Sequence, residues 1–216
     1  MFPYSSRLIA PGSSRRFSVS LAGTLASLTL AGLSSVLPVA SAQAASAATC
    51  PSATLSQPFA QWGDANSYSL VSGGSFEGSL PGWTLSGGAQ RAPGSESYAV
   101  TGALGAWSLA LPVGASAQSP FACVSATNRT FRFFARSEGP AATVRAQVVY
   151  ATPIGNIGIP VGTILLNGSW APTPALQTGA ALASFLSNGT AQLALRFTSL
   201  SGTTRIDDVF IDPRRR

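Results

Sequence analysis

Neither histidine nor lysine occurs among the 216 residues of this chain. Without histidine there is no Ser-His-Asp triad, no Cys-His nucleophile and no histidine-ligated zinc or iron site. A serine or threonine nucleophile would also have no lysine to act as its base. These absences exclude the commonest catalytic constellations and make an enzyme the weaker hypothesis.

Acidic residues are scarce, with seven in the whole sequence. A glycoside hydrolase needs two carboxylates facing each other across a cleft. Only Asp207 and Asp208 are adjacent, and neighbouring side chains of a strand point to opposite faces. A carboxylate-pair hydrolase is therefore the least favoured function.

The first 42 residues differ from the rest. Arg7, Arg15 and Arg16 occur there without any acidic residue, before an apolar run rich in Leu, Ala and Ser and a series of small residues. This order predicts a secretory signal peptide over residues 1–42 and an extracellular protein. A membrane anchor is the alternative, which the many Ser, Gly and Thr residues disfavour. Arg15-Arg16-Phe17 resembles a twin-arginine signal, but its Phe comes one place early, which favours general secretion.

Removal of that segment lowers the net charge from +6 to +3, because three of the thirteen arginines lie within it. A basic tail, residues 214–216, holds three more arginines. The body is therefore nearly neutral, and we expect no nucleic acid partner and no membrane contact after removal of the signal. Arginine-only, Ala- and Gly-rich usage is typical of a GC-rich bacterial genome. We expect a monomer.

The two cysteines, Cys50 and Cys123, predict a disulfide, since an even cysteine count in an exported chain favours pairing. Closing a loop of this length stabilises a fold by about 4 kcal/mol. Residues 43–66 are rich in Ala, Ser and Pro, which predicts a loose N-terminal arm held at Cys50. Phe59 and Trp62 are the residues expected to pack the arm onto the body.

Residues 67–213 show short apolar segments separated by turn residues. The expected strands are Tyr68–Val71, Ser75–Glu77, Trp83–Ser86, Tyr98–Val100, Trp107–Leu111, Ala117–Val124, Thr130–Arg136, Thr143–Tyr150, Gly162–Leu166, Thr190–Thr198 and Arg205–Ile211. Many short strands at this spacing predict an all-β fold, an antiparallel two-sheet β-sandwich. Ala175–Leu186 is either a helix or a strand followed by a loop.

Three later strands alternate apolar and polar residues, which is typical of a sheet with one buried face. If these strands share one sheet, its outer face carries Arg132, Phe134, Arg136, Arg145, Gln147, Gln192 and Arg196. The last strand is apolar on both faces, which predicts a central or covered strand. In regular alternation Asp208 shares a face with Ile206 and Phe210.

Two motifs carry a resemblance to a known family. Gly-Ser-Phe-Glu at residues 74–77, followed by Gly82-Trp83, and Ile-Asp-Asp-Val at residues 206–209 are similar to the opening and the ending of galactose-binding-like, jelly-roll carbohydrate-binding modules. The resemblance extends over most of residues 67–213 and implies the jelly-roll form of sandwich. It also implies a structural calcium ion held by Glu77 with Asp207 or Asp208 and backbone carbonyls, the oxygen ligands that Ca²⁺ prefers. The alternative is that Asp207 pairs with Arg205 or Arg196, or accepts backbone N–H bonds.

The leading function is non-catalytic binding of a cell-surface or environmental glycan. Sugar faces stack on aromatic rings and sugar hydroxyls pair with planar polar groups. Phe134 with Arg132, Arg136, Arg145 and Gln147 is the expected site, and the loop residues Trp107, Tyr98 and Trp170 are alternatives. An arginine-rich face can equally be just solvated, in which case the protein is a structural or adhesive surface protein without a small ligand.

Overall fold

Strand pairing divides the described chain, residues 49–212 of a computed structural model, into two antiparallel sheets. The seven-stranded sheet contains β1 (Ser69–Leu70), β3 (Gln90–Pro93), β4 (Trp107–Leu111), β7 (Thr130–Ser137), β10 (Ala171–Pro172), β11 (Leu176–Gln177) and β13 (Thr204–Asp212). The six-stranded sheet contains β2 (Thr84–Ser86), β5 (Ser116–Gln118), β6 (Ala122–Ser125), β8 (Ala142–Thr152), β9 (Gly155–Leu166) and β12 (Thr190–Ser201). A 3-10 turn (Ala60–Trp62) and one helix, α1 (Ala180–Leu186), complete the described elements.

The expected antiparallel two-sheet β-sandwich is thereby confirmed. Along the main paths the strand orders are β10-β7-β13-β4-β3 and β2-β5-β12-β8-β9. The signal peptide expected over residues 1–42, the start of the arm and the basic tail 214–216 lie outside the described residues. Neither helical segment within residues 49–212 has the length and apolar character needed to span a bilayer.

The main core lies between the sheets and follows the alternation seen in the sequence. Phe133 of β7 and Phe197 of β12 meet across it with ring centroids 4.8 Å apart. The other inward residues of the three alternating strands are also buried, namely Phe131, Ala135, Val144, Ala146, Val148, Tyr150, Leu193 and Leu195. Period-two alternation therefore predicted the buried faces of β7, β8 and β12 correctly.

A second core covers the opposite, outer face of the seven-stranded sheet. Phe134 of β7 and Phe210 of β13 lie under Phe59 and Tyr68, and these four side chains are at most 1% exposed. The ring of Phe59 stacks on that of Phe134 at 5.5 Å. The expectation that Phe59 and Trp62 pack onto the body is confirmed, whereas a loose arm is wrong for this part because Phe59 is fully buried.

The last strand, β13, pairs with β7, β4 and β1, and all nine of its residues are buried. A central, covered strand was predicted, but its regular alternation was not observed. The register against β7 shifts between Asp207 and Phe210, and Asp208 has a φ of +46°. The bulge adds one residue to β13 relative to β7, which reverses the alternation of side chains beyond it. Ile206 therefore faces the main core, and Phe210 faces the second core.

Several local expectations are wrong for identifiable reasons. Residues 75–77 and 98–100 form turns and loop rather than strands, since Phe76 and Ala99 have positive φ values. The segment 117–124 divides into β5 and β6 around Pro120, which cannot donate a ladder hydrogen bond. The strand β3 was missed because it is polar and ends in proline. The ambiguous segment 175–186 contains both β11 and α1.

The predicted disulfide is confirmed. Cys50 is bonded to Cys123 of β6, with 5.4 Å between the two Cα atoms. The bond anchors the start of the described arm at one strand of the six-stranded sheet. The arm then reaches the outer face of the other sheet, where Ser56 bridges to Tyr68.

The second core predicts a large stability cost for removing its central ring. We expect Phe59→Ala to lower the free energy of unfolding by about 3–5 kcal/mol, because the truncation leaves a cavity above Phe134. Urea denaturation followed by tryptophan fluorescence measures the loss. Phe185→Ala is the matched control, since Phe185 is 83% exposed and its removal should cost less than about 0.5 kcal/mol. Equal losses in the two variants would contradict a core role for Phe59.

Candidate functional site

The outer face of the seven-stranded sheet, where Arg132 and Phe134 were expected to bind a glycan, is closed by the arm. Phe134 is fully buried under Phe59, so the prediction of Phe134 as a sugar-stacking platform is wrong. The guanidinium of Arg132 lies 4.3 Å from the Phe59 ring centroid, and its Nη1 is 2.8 Å from Asp64 Oδ2. Arg132 is therefore part of the attachment of the arm.

The carboxylate of Asp64 is the hydrogen-bonding centre of that attachment. It accepts hydrogen bonds from the Tyr68 hydroxyl at 2.7 Å and from Arg132 at 2.8 Å. Burial alone would raise the pKa of Asp64, but these hydrogen bonds outweigh burial and lower the pKa below its usual value. Asp64 was not among the predicted site residues, since nothing in its sequence surroundings indicates a partner 68 residues away.

The predicted loop aromatics complete this closed face. The Trp62 ring meets the Tyr98 ring edge-on at 4.9 Å, and the Tyr98 hydroxyl donates to the Trp170 carbonyl at 2.9 Å. Arg136 lies 5.4 Å from the Trp170 ring centroid. Trp62, Tyr98 and Trp170 are therefore held by contacts within this closed face, and Tyr98 remains 40% exposed.

Trp107 begins β4 at one side of the seven-stranded sheet, and the guanidinium of Arg91 lies 4.5 Å from its ring centroid. Trp107 therefore does not share a face with Arg145 and Gln147, which belong to the six-stranded sheet. The expectation of one arginine-rich face made by β7, β8 and β12 is wrong, because β7 pairs into the other sheet.

What remains of the expected site is the outer face of the six-stranded sheet. Arg145 and Gln147 project outward from β8, and Gln192 and Arg196 project outward from β12. Arg196 pairs with Gln147 across the two strands and with Gln118 on its other side. We call this set, together with Gln118 of β5, the polar face; its members are Gln118, Arg145, Gln147, Gln192 and Arg196.

Two apolar residues lie among these long side chains. Val149 and Ala194 are opposite each other on the same outward side, yet they are at most 1% exposed. A Cβ placed on Gly158 of β9 would contact Gln147 Nε2 at 3.7 Å and Val149 at 3.9 Å. The polar face is therefore a layer of hydrogen-bonding side chains that covers an apolar pair.

The two arginines of the polar face differ in their partners. Gln118 Oε1 accepts hydrogen bonds from Arg196 Nε at 3.1 Å and Nη2 at 2.6 Å. Arg145 Nε is buried and has no hydrogen-bond partner among residues 49–212. A buried donor without a partner costs free energy, which makes Arg145 the group on this face most in need of an acceptor. Gln118 was missed because β5 is too short to show alternation.

A separate group of carboxylates lies where the Gly-Ser-Phe-Glu motif, residues 74–77, approaches the last strand, β13. Asp207 Oδ2 accepts hydrogen bonds from Ser95 Oγ at 2.7 Å and from the Glu96 N–H at 2.9 Å. Glu96 in turn accepts from the N–H groups of Tyr98 and Val100. Asp207, Asp208 and Glu96 are at most 3% exposed. We call Glu77, Glu96, Asp207 and Asp208 the acidic cluster.

Asp207 and Asp208 of the acidic cluster hold protons more tightly than free carboxylates do. Burial raises the pKa of Asp208 to about 8, with further contributions from the charges of Asp207 and Glu96 and a hydrogen bond with Glu96. Burial also raises the pKa of Asp207 to about 7, against the lowering effect of hydrogen bonds from Ser95 and two backbone N–H groups. The two ion pairs in the described chain, Arg132–Asp64 and Arg205–Glu138, do not involve this cluster.

Glu77 lies at the edge of the cluster. Its Oε1 accepts from the N–H groups of Ala106 and Trp107, both at 2.9 Å. A Cβ on Gly105 would collide with Glu77 Oε1 and Ser95 Oγ, so a larger residue there would displace these two side chains. Within residues 49–212 no three acidic side chains converge closely enough to form a metal site as they stand. Glu96 was missed as a member because it lies in a loop without a motif.

A third feature is an apolar groove of about 420 Å³ between α1 and the β8–β9 hairpin. Its lining includes Tyr150, Ile157 and Ile159. The nearby side chains of Leu182, Phe185 and Leu186 on α1 and Ile154 in the hairpin turn are exposed.

Comparison with known proteins gives structural likenesses only. No protein-family model matches the chain, and no curated protein matches it in sequence. The CBM22-1 and GH10 modules of a Clostridium thermocellum endo-1,4-beta-D-xylanase, complexed with xylohexaose, match with a TM-score of 0.44 and 15% identity over 64% of this chain and 27% of that chain. The CBM22-1 xylan-binding domain from Paenibacillus barcinonensis matches with a TM-score of 0.42 and 16% identity over 64% of this chain and 90% of that chain.

A family 11 carbohydrate-binding module from Clostridium thermocellum, in complex with a mixed-linked tetrasaccharide, matches with a TM-score of 0.41 and 13% identity over 64% of this chain and 92% of that chain. These neighbours are carbohydrate-binding modules, the class that the two sequence motifs resemble. All three TM-scores are below 0.5, so these likenesses do not identify what this chain binds.

The raised pKa values predict that the metal-free protein loses stability as the pH rises. Between about pH 4, where free carboxylates titrate, and pH 8 the folded state binds more protons than the unfolded state, so stability falls through this window and then levels off. We expect the melting temperature in EDTA to drop by at least about 5 °C between pH 5 and pH 9. Asp208→Asn should flatten this dependence and Glu138→Gln should not. A melting temperature that is constant or rises with pH would contradict protonation of the cluster.

Proposed function

We propose that this protein is a non-catalytic glycan-binding module and that the polar face of the six-stranded sheet is its binding surface. The observation that carries the proposal is the grouping of two guanidinium and three amide groups on the outward side of β5, β8 and β12. Amide and guanidinium groups are planar and match the paired hydroxyls of a sugar. The Nε of Arg145 has no acceptor among residues 49–212; Arg136 Nε on the closed face shares this property, but Arg145 lies on the face that the arm leaves open.

The position of the carboxylates supports a binding role over hydrolysis. A hydrolase exposes an acid and a second carboxylate to the substrate. In this chain Glu96, Asp207 and Asp208 are buried, and Asp64 and Glu138 are paired with arginines. The polar face itself carries no carboxylate on its strands.

The proposal extends to an exported protein that acts outside the cell as a monomer. The segment 1–42 has the order of a secretory signal, and the Cys50–Cys123 disulfide is typical of an oxidising compartment. A twin-arginine signal and a general secretion signal both direct export from the cytoplasm, so Arg15-Arg16 is compatible with export by either route.

Glycan binding at the polar face predicts a defined loss on mutation. The purified full-length protein should bind at least one member of a panel of plant, algal and bacterial polysaccharides in affinity electrophoresis. Arg145→Ala should weaken that binding by at least about tenfold, because a charge-assisted hydrogen bond is lost. Arg129→Ala is the control, since Arg129 lies in the exposed turn between β6 and β7.

Two outcomes would argue against this proposal. One is a folded protein that binds none of the polysaccharides. The other is binding that survives Arg145→Ala unchanged. The first outcome would favour a structural or adhesive surface protein, an alternative that the exposed apolar residues of α1 support.

We also propose that a calcium ion stabilises the acidic cluster. The charges of Asp207, Glu96 and Glu77 act on the buried carboxyl group of Asp208, which favours a bound proton or a cation there, and oxygen ligands suit Ca²⁺. Glu96 and Asp208 would be the principal ligands, with Glu77, Asp207 and backbone carbonyls as the other candidates. The oxygens of Glu77 and Asp207 already accept N–H bonds, which makes them the weaker donors.

A bound cation predicts a calcium-dependent melting temperature. At pH 7.5, millimolar CaCl₂ should raise the melting temperature by several degrees over EDTA, because the ion binds only the folded state. Asp208→Asn should abolish this response and Glu138→Gln should retain it. An identical melting temperature in calcium and in EDTA would leave a bound proton as the explanation of the Glu96–Asp208 contact.

A further inference from the structure

The two arginines of the polar face stand close together on adjacent strands. Arg196 of β12 is opposite Gln147 of β8, and Thr198 is opposite Arg145. The two arginines are therefore diagonal neighbours, with Cβ atoms about 7 Å apart. The Arg196 guanidinium turns toward Gln118 on β5, on the side of β12 away from β8, so the two like charges lie on one face without bonding to each other.

No acidic residue of the protein compensates this charge within the sheet. None of the seven Asp and Glu residues of the sequence occurs in β2, β5, β6, β8, β9 or β12. Both ion pairs of the described chain involve the other sheet or the arm. Arg196 contacts a neutral amide, and Arg145 Nε has no protein acceptor in residues 49–212. The six-stranded sheet thus presents a local positive charge on a nearly neutral body.

The outward positions of the sheet also lack aromatic rings. By strand alternation and register, no Phe, Trp or Tyr occupies an outward position of its six strands. Phe121, 37% exposed, lies in the loop between β5 and β6, so a neutral sugar would have no ring within the strands themselves on which to stack. Charged hydrogen bonds are then the main source of binding energy available on these strands.

From these observations we infer that the polar face binds an anionic glycan, a polysaccharide whose sugars carry oxyanions such as uronate carboxylates or sulfate esters. The inference rests on the proposed glycan-binding function and specifies its ligand class. Arg145 and Arg196 would receive the anion through paired N–H donors. The amides of Gln147 and Gln192 would receive neighbouring hydroxyl groups. Single-stranded nucleic acid fits this face less well, since its bases need aromatic platforms.

The decisive experiment compares one polymer with and without its charge. Binding of the full-length protein is measured by calorimetry with polygalacturonate, with its methyl-esterified form, and with chondroitin sulfate. Xylan, mixed-linkage β-glucan and poly(dT) complete the set. We expect at least tenfold tighter binding to polygalacturonate or chondroitin sulfate than to any uncharged polymer, and weaker binding as NaCl rises from 50 to 500 mM.

The variants test whether binding depends on the arginines of the polar face or only on the net charge of the protein. Arg145→Gln and Arg196→Gln should each weaken binding to the anionic polymer by about tenfold. Arg129→Gln makes the same change of charge in an exposed turn and should leave binding within about twofold, since screening weakens charges beyond a Debye length. Arg145→Lys keeps the charge and loses the paired donors, so it should restore only part of the affinity.

Equal affinity for xylan or methyl-esterified polygalacturonate and for the anionic polymers would overturn the inference and leave the proposed glycan binding intact. Equal losses from Arg129→Gln and Arg145→Gln would also overturn it, as would tighter binding of poly(dT). Absence of binding to every polysaccharide would remove both the inference and the proposed function.

Discussion

The complete burial of β13 is the constraint on which the rest of this structure depends. The strand lies between the main core and the second core, so both of its faces must be covered. It nevertheless carries Asp207, Asp208 and Asp212, and buried carboxylates are costly unless they are protonated, hydrogen-bonded or paired. The surrounding loops supply what these carboxylates need. Ser95 and the N–H of Glu96 reach Asp207, and Thr130 reaches Asp212.

The Gly-Ser-Phe-Glu motif at residues 74–77 lies beside β13 at the bulge of this strand. Val209 donates to the Gly74 carbonyl at 3.0 Å and accepts from the Val71 N–H at 2.8 Å. A Cβ on Gly74 would come within 3.0 Å of the Val209 carbonyl, so only glycine permits this approach. The two motifs that resemble carbohydrate-binding modules are therefore parts of one structural corner. They organise the fold and the acidic cluster, and the proposed binding surface is formed by other strands.

The sequence predicted the parts of the fold that depend on local alternation. Phe131, Phe133, Leu195 and Phe197 are buried as expected, because period-two patterning determines which side of a strand is apolar. It could not assign strands to sheets, since alternation distinguishes two faces of a strand but does not identify its neighbours. The expected binding face therefore combined Phe134 from one sheet with Arg145 from the other. The predicted alternation of β13, with Ile206 and Phe210 on one face, was also wrong. No local sequence signal indicates the bulge at Asp208.

The candidate site was predicted in part. Arg145 and Gln147 remain on an open face, while Arg132 and Phe134 are buried because residues 59–68 cover them. This covering is a contact between segments about 70 residues apart; the packing of Phe59 and Trp62 onto the body was expected, but no local pattern indicates which strands they cover. Glu96 and Gln118 were missed because their roles come from tertiary neighbours.

The closure of one face by the arm limits the number of binding surfaces that the sheets of one molecule can present. A sandwich has two broad outer surfaces, and here the seven-stranded one is filled by Phe59, Trp62 and Tyr68. Within residues 49–212 the sheets then leave one broad outer face open, so under the proposed function a single copy would hold one polymer chain and would not cross-link two. Avidity on a polymer surface would have to come from several copies bound along it, each contributing through a raised effective concentration.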